Sequence, residues 1–182
     1  MIGSTKVAFL VSKEGIEQAE LTEPWAAVER AGGTPELISL EAGSVQAYKH
    51  LDQADSFRVD RTLAQADPTD YAALVLPGGV ANGDALRWQA QAQDFVRSFT
   101  GLGRPVAVIC HGGWVLIETG AVDGRRITSW PSMATDFRNG GADWVDEELV
   151  VCTNGGFTLV SSRKPQDLPA FCGELVAQID RA

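Results

Sequence analysis

The sequence predicts an α/β fold, a flavodoxin-like three-layer α/β/α sandwich with a mostly parallel sheet. Short apolar runs such as Val7–Ser12, Ala72–Leu76 and Val106–Ile109 alternate with longer segments of helical periodicity. Such alternation implies right-handed βαβ crossovers and therefore parallel neighbouring strands. Chemically distinctive residues also follow strand-like runs: Glu17 after the first, Gly78-Gly79 after Leu74–Leu76, and Cys110-His111 after Val106–Ile109. In open α/β sheets ligands bind beyond the carboxyl ends of the strands, so this fold gathers all three features at one edge.

The elements follow in order. Val7–Ser12 is a buried strand. In "EGIEQAELTEPWAAVERAGG", Thr22 is a good N-cap, Pro24 suits a first helical turn and Gly32-Gly33 closes the helix, leaving Glu17 to Leu21 as a short turn of its own. Glu36–Leu40 is a second strand, and Val45–Tyr48 and Phe57–Val59 are two small ones. Ala72–Leu76 runs into Pro77-Gly78-Gly79, and a helix from about Asp84 buries Ala92, Phe95, Val96, Phe99 and Leu102. Val106–Ile109 is a strand, Gly112–Thr119 a helix and Arg126–Trp130 a strand. Leu149–Thr153 and Phe157–Ser161 form a hairpin around Asn154-Gly155-Gly156. The last helix carries Leu168, Phe171, Leu175, Val176 and Ile179 on one face. No repeat, low-complexity stretch or linker interrupts residues 1–182, which read as one domain.

Composition narrows the functions. The net charge of −9 argues against nucleic acid and anionic membrane as partners, since both require a basic face. No run approaches the ~20 apolar residues of a membrane span. The first apolar run lacks the marks of a signal peptide, so the expected location is cytoplasmic. The three cysteines, Cys110, Cys152 and Cys172, form no CxxC pair, and the only histidines are His50 and His111. A disulfide framework and a zinc site are therefore not expected. No Walker loop, GxGxxG, HExxH or EF-hand pattern occurs, and no metal, nucleotide or other cofactor is inferred.

"AVICHGGW", Ala107 to Trp114, is the most informative stretch. A nucleophile elbow needs a strand, a strained turn and a helix, with small neighbours where the backbone is crowded. Cys110 takes the nucleophile position and Gly112 and Gly113 supply the small residues. The amides of the following helix would favour the thiolate and lower the thiol pKa. The amides of His111 and Gly79 would form an oxyanion hole. The competing reading is a small cysteine buried in a strand.

"ICHGGW", preceded by "LVLPGG", resembles the ThiJ/PfpI family of the class I glutamine amidotransferase-like superfamily, and PfpI-type intracellular proteases and their stress-response relatives in particular. "EQAEL", "SWPSMATDFRNGGADWVDEELVV" and "VSSRKPQDLPAF" resemble family segments in the same order, so the likeness covers nearly the whole chain. Gly113 departs from it, standing where the family often has proline. The resemblance implies that Glu17 contacts the reactive cysteine, with Glu14 and Glu20 as rivals. A protonated carboxyl there would donate to the thiolate, and the two groups would titrate together. Otherwise Glu17 is a solvated acid at a helix start.

His111 is the candidate general base. Adjacent side chains on an elbow tend to point apart, so it needs an orienting partner. The resemblance implies an acid from a neighbouring subunit, matched here by Asp84 in "GGVANGDALR", and hence a homo-oligomer, dimer or larger. Asp84 read by itself is a helix-start acid. Gly78 and Trp114 would line the pocket, and His50 reads as a surface or interface residue. No histidine follows His111, which excludes the glutamine amidotransferase triad.

Three functions use the same thiol. The leading expectation is a stress-response cysteine protease or hydrolase acting on a peptide or small molecule. The alternatives are a cofactor-free glyoxalase or deglycase acting on aldehydes such as methylglyoxal, and a non-catalytic redox sensor or chaperone using oxidation of Cys110.

Overall fold

The computed structural model describes residues 2, 3 and 5–182. In chain order, β1 (Lys6–Leu10), β2 (Glu14–Glu17), α1 (Gln18–Arg30), β3 (Thr34–Ser39), β4 (Ser44–Lys49), β5 (Asp52–Arg58), β6 (Arg61–Thr62) and β7 (Ala73–Leu76) form the first half. There follow α2 (Val80–Arg87), α3 (Ala90–Gly101), β8 (Val106–Ile109), α4 (Trp114–Glu118), β9 (Arg126–Ile127), α5 (Ala134–Asn139), β10 (Asp143–Trp144), β11 (Val150–Cys152), β12 (Leu159–Ser162) and α6 (Leu168–Arg181). The main sheet has the order β11-β12-β8-β7-β1-β3-β6, parallel except for the β11–β12 hairpin.

Strand alternation divides the core into two layers. Ala8, Leu10, Leu74, Leu76, Val106 and Val108 pack with Phe95, Val96 and Phe99 of α3. Val7, Phe9, Val75, Ala107 and Ile109 pack with Leu21 and Val28 of α1 and with Phe171 and Leu175 of α6. Helices on both faces of the sheet complete the flavodoxin-like sandwich.

Several element boundaries differ from the sequence expectation. Helix α1 starts at Gln18 rather than Thr22, and Pro24 lies inside it. Proline removes one N–H, and the helix runs on because Glu20, Leu21, Pro24, Ala27 and Val28 bury one continuous face. Residues 14–17 form β2, which joins β4 and β5 in a separate three-stranded sheet. The helix expected from Asp84 is two helices, broken where Gln89 turns extended with ψ 113°. Leu102 caps the second and is 39% exposed rather than buried. Only Arg126–Ile127 of the expected 126–130 strand is paired as a strand, and it pairs with β10 outside the main sheet. Cys110–Gly113 is a tight 3-10 turn before the short α4, so aligned helix dipoles contribute little at the elbow.

Gly112 lies under the end of β7 rather than in the pocket. A Cβ there would collide with the Leu76 carbonyl and come within 2.6 Å of the Pro77 carbonyl. Both are backbone atoms, so the strain cannot be relieved by a rotamer change. Gly112→Ala should therefore destabilise the fold by about 2–3 kcal/mol, lowering the thermal midpoint by roughly 5–10 °C. A calorimetric scan with an unchanged midpoint would contradict this packing.

Candidate active site

Four chain segments converge at the carboxyl edge of the sheet. Cys110 follows β8 with φ 58°, a left-handed conformation that a non-glycine residue adopts at a cost of roughly 1–2 kcal/mol. Alternation along β8 would send position 110 toward α3. The turn instead packs it with the α1–α6 layer, where Glu20 lies. The backbone amides of Gly79 and His111 both donate toward its sulfur. The thiol is 7% exposed and opens onto a cleft of about 890 Å³.

Glu20, not Glu17, faces this thiol. Its side chain is fully buried, and its carboxyl interacts with Cys110. Neither carboxyl oxygen makes a hydrogen bond of regular geometry. Burial, reinforced by the charge of Glu17, pushes the Glu20 carboxyl up to about 8. The acid therefore holds its proton at neutral pH. Gly78 is required beside the pair: a Cβ there would collide with Glu20 Oε2 and stand 2.6 Å from Cys110 Cβ.

Glu17 has a different task. It ends β2, and its Oε2 accepts the amide of His50 at 3.0 Å, with the His50 ring nitrogen 3.9 Å away. The contact ties the β4–β5 hairpin to the cleft. The early start of α1 explains the exchange, since it puts Glu20 in the first turn of the helix on the stripe shared with Leu21, Ala27 and Val28. That phase is readable in the sequence once the helix is allowed to pass through Pro24. Glu14 lines the cleft mouth and is exposed.

The thiol is not drawn below its ordinary value. Burial and the charge of an ionised Glu20 push it up, while the Gly79 and His111 amides pull it down. When Glu20 is protonated its opposing charge is absent, and its O–H becomes a donor to the sulfur. Thiolate formation thus depends on the proton held by Glu20, and the two groups titrate as a pair.

His111 turns toward Cys110 rather than away from it, with Nδ1 3.2 Å from Sγ. Burial lowers the pKa of its ring, leaving it neutral and able to accept a proton. Two aromatic rings hold it: Trp114 at 5.1 Å and Trp130, nearly parallel, at 5.9 Å. Trp114 is fixed in turn by donating to Asp136 at 2.9 Å. Trp114 lines the cleft, as does Trp130, which the sequence marks only as the end of an expected strand. Asp84 is exposed at the cleft mouth, and among the described residues no carboxylate is hydrogen-bonded to the His111 ring. Gly79 lines the cleft and Gly78 and Gly112 do not. Among the described residues no group of three or more His, Cys, Asp or Glu could hold a metal ion.

The profile described as the DJ-1/PfpI family matches residues 5–178. A protein of Bacillus subtilis, YraA, whose name carries a provisional cysteine-protease assignment, is 38% identical over 92% of this chain and 94% of its own. Deglycase PH1704 of Pyrococcus horikoshii is 39% identical over 94% of this chain and 97% of its own. Among solved structures, Drosophila melanogaster DJ-1beta superposes with a TM-score of 0.82 at 26% identity, covering 98% of this chain and 95% of that one.

The Glu20 proton makes stability depend on pH. An unfolded glutamate titrates near ~4.3, whereas folded Glu20 keeps its proton to about 8. The folded chain binds more protons between these values, so its stability is full below the lower one and falls as pH rises through the upper. Denaturant unfolding from pH 5 to 9 should show wild type losing a few kcal/mol relative to Glu20→Gln. Parallel profiles for the two proteins would show that Glu20 ionises alike in both states.

Proposed function

Because the chain belongs to the DJ-1/PfpI family, we propose that it is a cofactor-free, thiol-dependent enzyme that removes α-oxoaldehyde adducts, a deglycase-type activity. The observation that carries this reading is the fully buried Glu20 carboxyl facing Cys110, pushed up to about 8 by burial. Peptide hydrolysis needs an oriented imidazolium to protonate a leaving amine. Within one copy of the chain no carboxylate hydrogen-bonds the His111 ring among the described residues to hold it in that orientation. Aldehyde chemistry instead needs a proton donor beside the sulfur, which Glu20 supplies. Relatives named as deglycases support the same choice. The cleft of about 890 Å³ exceeds what a three-carbon aldehyde fills, which suits an adduct carried on a larger molecule.

In this mechanism His111 Nδ1 accepts the thiol proton and the Cys110 thiolate adds to the aldehyde carbon, displacing the carrier amine or thiol where there is one. On a free aldehyde the Glu20 proton moves to the new alkoxide; on a carbinol adduct the bond to the carrier breaks and that proton leaves with the carrier amine or thiol; either route gives a hemithioacetal. The Glu20 carboxylate then removes the hydrogen from that carbon and returns it to the adjacent carbon, while the hydroxyl proton passes from the first carbon's oxygen to the second's, yielding a 2-hydroxyacyl thioester. The Glu20 carboxylate then takes a proton from water, which attacks the thioester; the C–S bond breaks and the proton held by His111 returns to the sulfur, releasing the hydroxy acid and restoring all three groups. The Gly79 and His111 amides, already aimed at the sulfur, lie where oxyanions develop.

Asp84 enters as a residue donated to a second copy of the chain. Val80 of the same helix, 57% exposed, and Trp88, which caps it and is 70% exposed, offer apolar surface for such contact.

Lactate release from methylglyoxal and from methylglyoxal-modified N-acetylarginine tests the reading. Cys110→Ala should abolish it, and Glu20→Gln should lower kcat by about 100-fold or more. Undiminished lactate release in Cys110→Ala would defeat the proposal. Cys110-dependent peptide cleavage without lactate would favour the hydrolase instead.

A further inference from the structure

Asn82 lies in the first turn of α2, fully buried, and does not line the cleft. Both ends of its side-chain amide are engaged. Oδ1 accepts the Ser12 amide at 2.8 Å, while Nδ2 donates to the Pro77 carbonyl at 2.9 Å and to the Gly78 carbonyl at 3.1 Å. The partners fix its orientation, since the reverse would set its oxygen against two carbonyls and its NH2 against an N–H.

Those two carbonyls belong to the two peptides whose amides face the reactive pair. In a trans peptide the C=O and the N–H point in opposite directions. The Pro77 carbonyl shares its plane with the Gly78 N–H, which faces the Glu20 carboxyl. The Gly78 carbonyl shares its plane with the Gly79 N–H, which donates toward the Cys110 sulfur. Holding the two carbonyls therefore aims both amides. The segment needs such a hold. A Cβ at residue 78 would collide with Glu20 and one at residue 79 with the Gly15 carbonyl, so both positions are glycine. A Gly–Gly peptide meets little steric resistance to rotation. The Glu17 amide adds a donor to the Gly78 carbonyl at 3.3 Å. Among the described residues no side chain other than Asn82 donates to either carbonyl.

We propose that Asn82 is a positioning residue whose single NH2 group sets the Gly79 amide at the sulfur and the Gly78 amide at the acid together. The inference rests on the reading of Cys110 as the reacting thiol and Glu20 as its proton donor.

Direction separates this role from space filling. Amide donors favour the charged form of each group, and burial disfavours it. Turning the amides away raises the pH at which the thiol and the acid ionise, whereas admitting water lowers it. Glu17, Asp167 and His111 also face the pair, so the variants carry no charge.

The test uses Asn82→Leu, which keeps the volume, and Asn82→Ala, which removes it. Cys110 alkylation by iodoacetamide, read by mass spectrometry, and the protonated-carboxyl infrared band of Glu20 are followed across pH. Both inflections should move up by about one pH unit. The kcat for lactate release should fall about tenfold or more with KM nearly unchanged. Ser12→Ala is the control. It removes the 2.7 Å bond from Ser12 Oγ to the Glu14 carbonyl, at the same junction but away from both glycine amides. It should lower the thermal midpoint and leave both inflections in place. Inflections that stay or move down in the Asn82 variants, or that move equally in Ser12→Ala, overturn the proposal even if wild type forms lactate. Upward inflections with no lactate from any adduct in wild type support it and overturn the aldehyde reading, so the two failures are distinguishable.

Discussion

The site depends on a single electrostatic constraint: a carboxyl group buried without a regular hydrogen bond, next to a thiol. Ionising both groups in that space would leave two uncompensated charges out of water, which costs many kcal/mol. The fold avoids this by keeping the Glu20 proton, aided by the nearby charge of Glu17. One negative charge can then form at the sulfur, where two amides and a carboxyl O–H can receive it. Reactivity at Cys110 is thus conditional on its neighbour rather than intrinsic to the thiol.

The surrounding structure maintains that arrangement. The left-handed turn at Cys110 directs the side chain toward α1 instead of α3. Gly78 leaves out the one side chain that would separate the thiol from the acid. The two tryptophans hold His111 against the sulfur, so base, nucleophile and acid meet within one small volume. The β2–β4–β5 sheet, anchored through Glu17 and the His50 amide, forms a further wall and carries Leu51, 94% exposed, at the cleft edge. These contacts lie on the connections between strands, where α/β folds generally place their chemistry.

The sandwich and the elbow were legible because both rest on strong local signals. Four-residue apolar strands flanked by glycine admit few alternatives, and a thiol beside an imidazole at a strand end suits a reactive site better than a core. The likeness of "EQAEL" to a family segment points to Glu17, and the rule that proline sits in a first helical turn leaves Glu20 outside the helix. Tertiary burial of the Glu20–Val28 face overrides that rule and carries the helix through the proline. The orientation of His111 was also hidden, since it is set by Trp114 and Trp130, sixteen residues apart in sequence and neighbours only in the fold. A thiol pKa lowered by a helix dipole was expected, but the helix is short and burial works the other way.

The most direct measurement is difference infrared spectroscopy of wild type against Glu20→Gln in the carbonyl-stretch region, recorded across pH. The account requires a protonated-carboxyl band belonging to Glu20 at neutral pH that disappears as pH rises through about 8. A carboxylate band at pH 7, with no protonated counterpart, would mean that the sulfur has no proton donor beside it and would contradict the account.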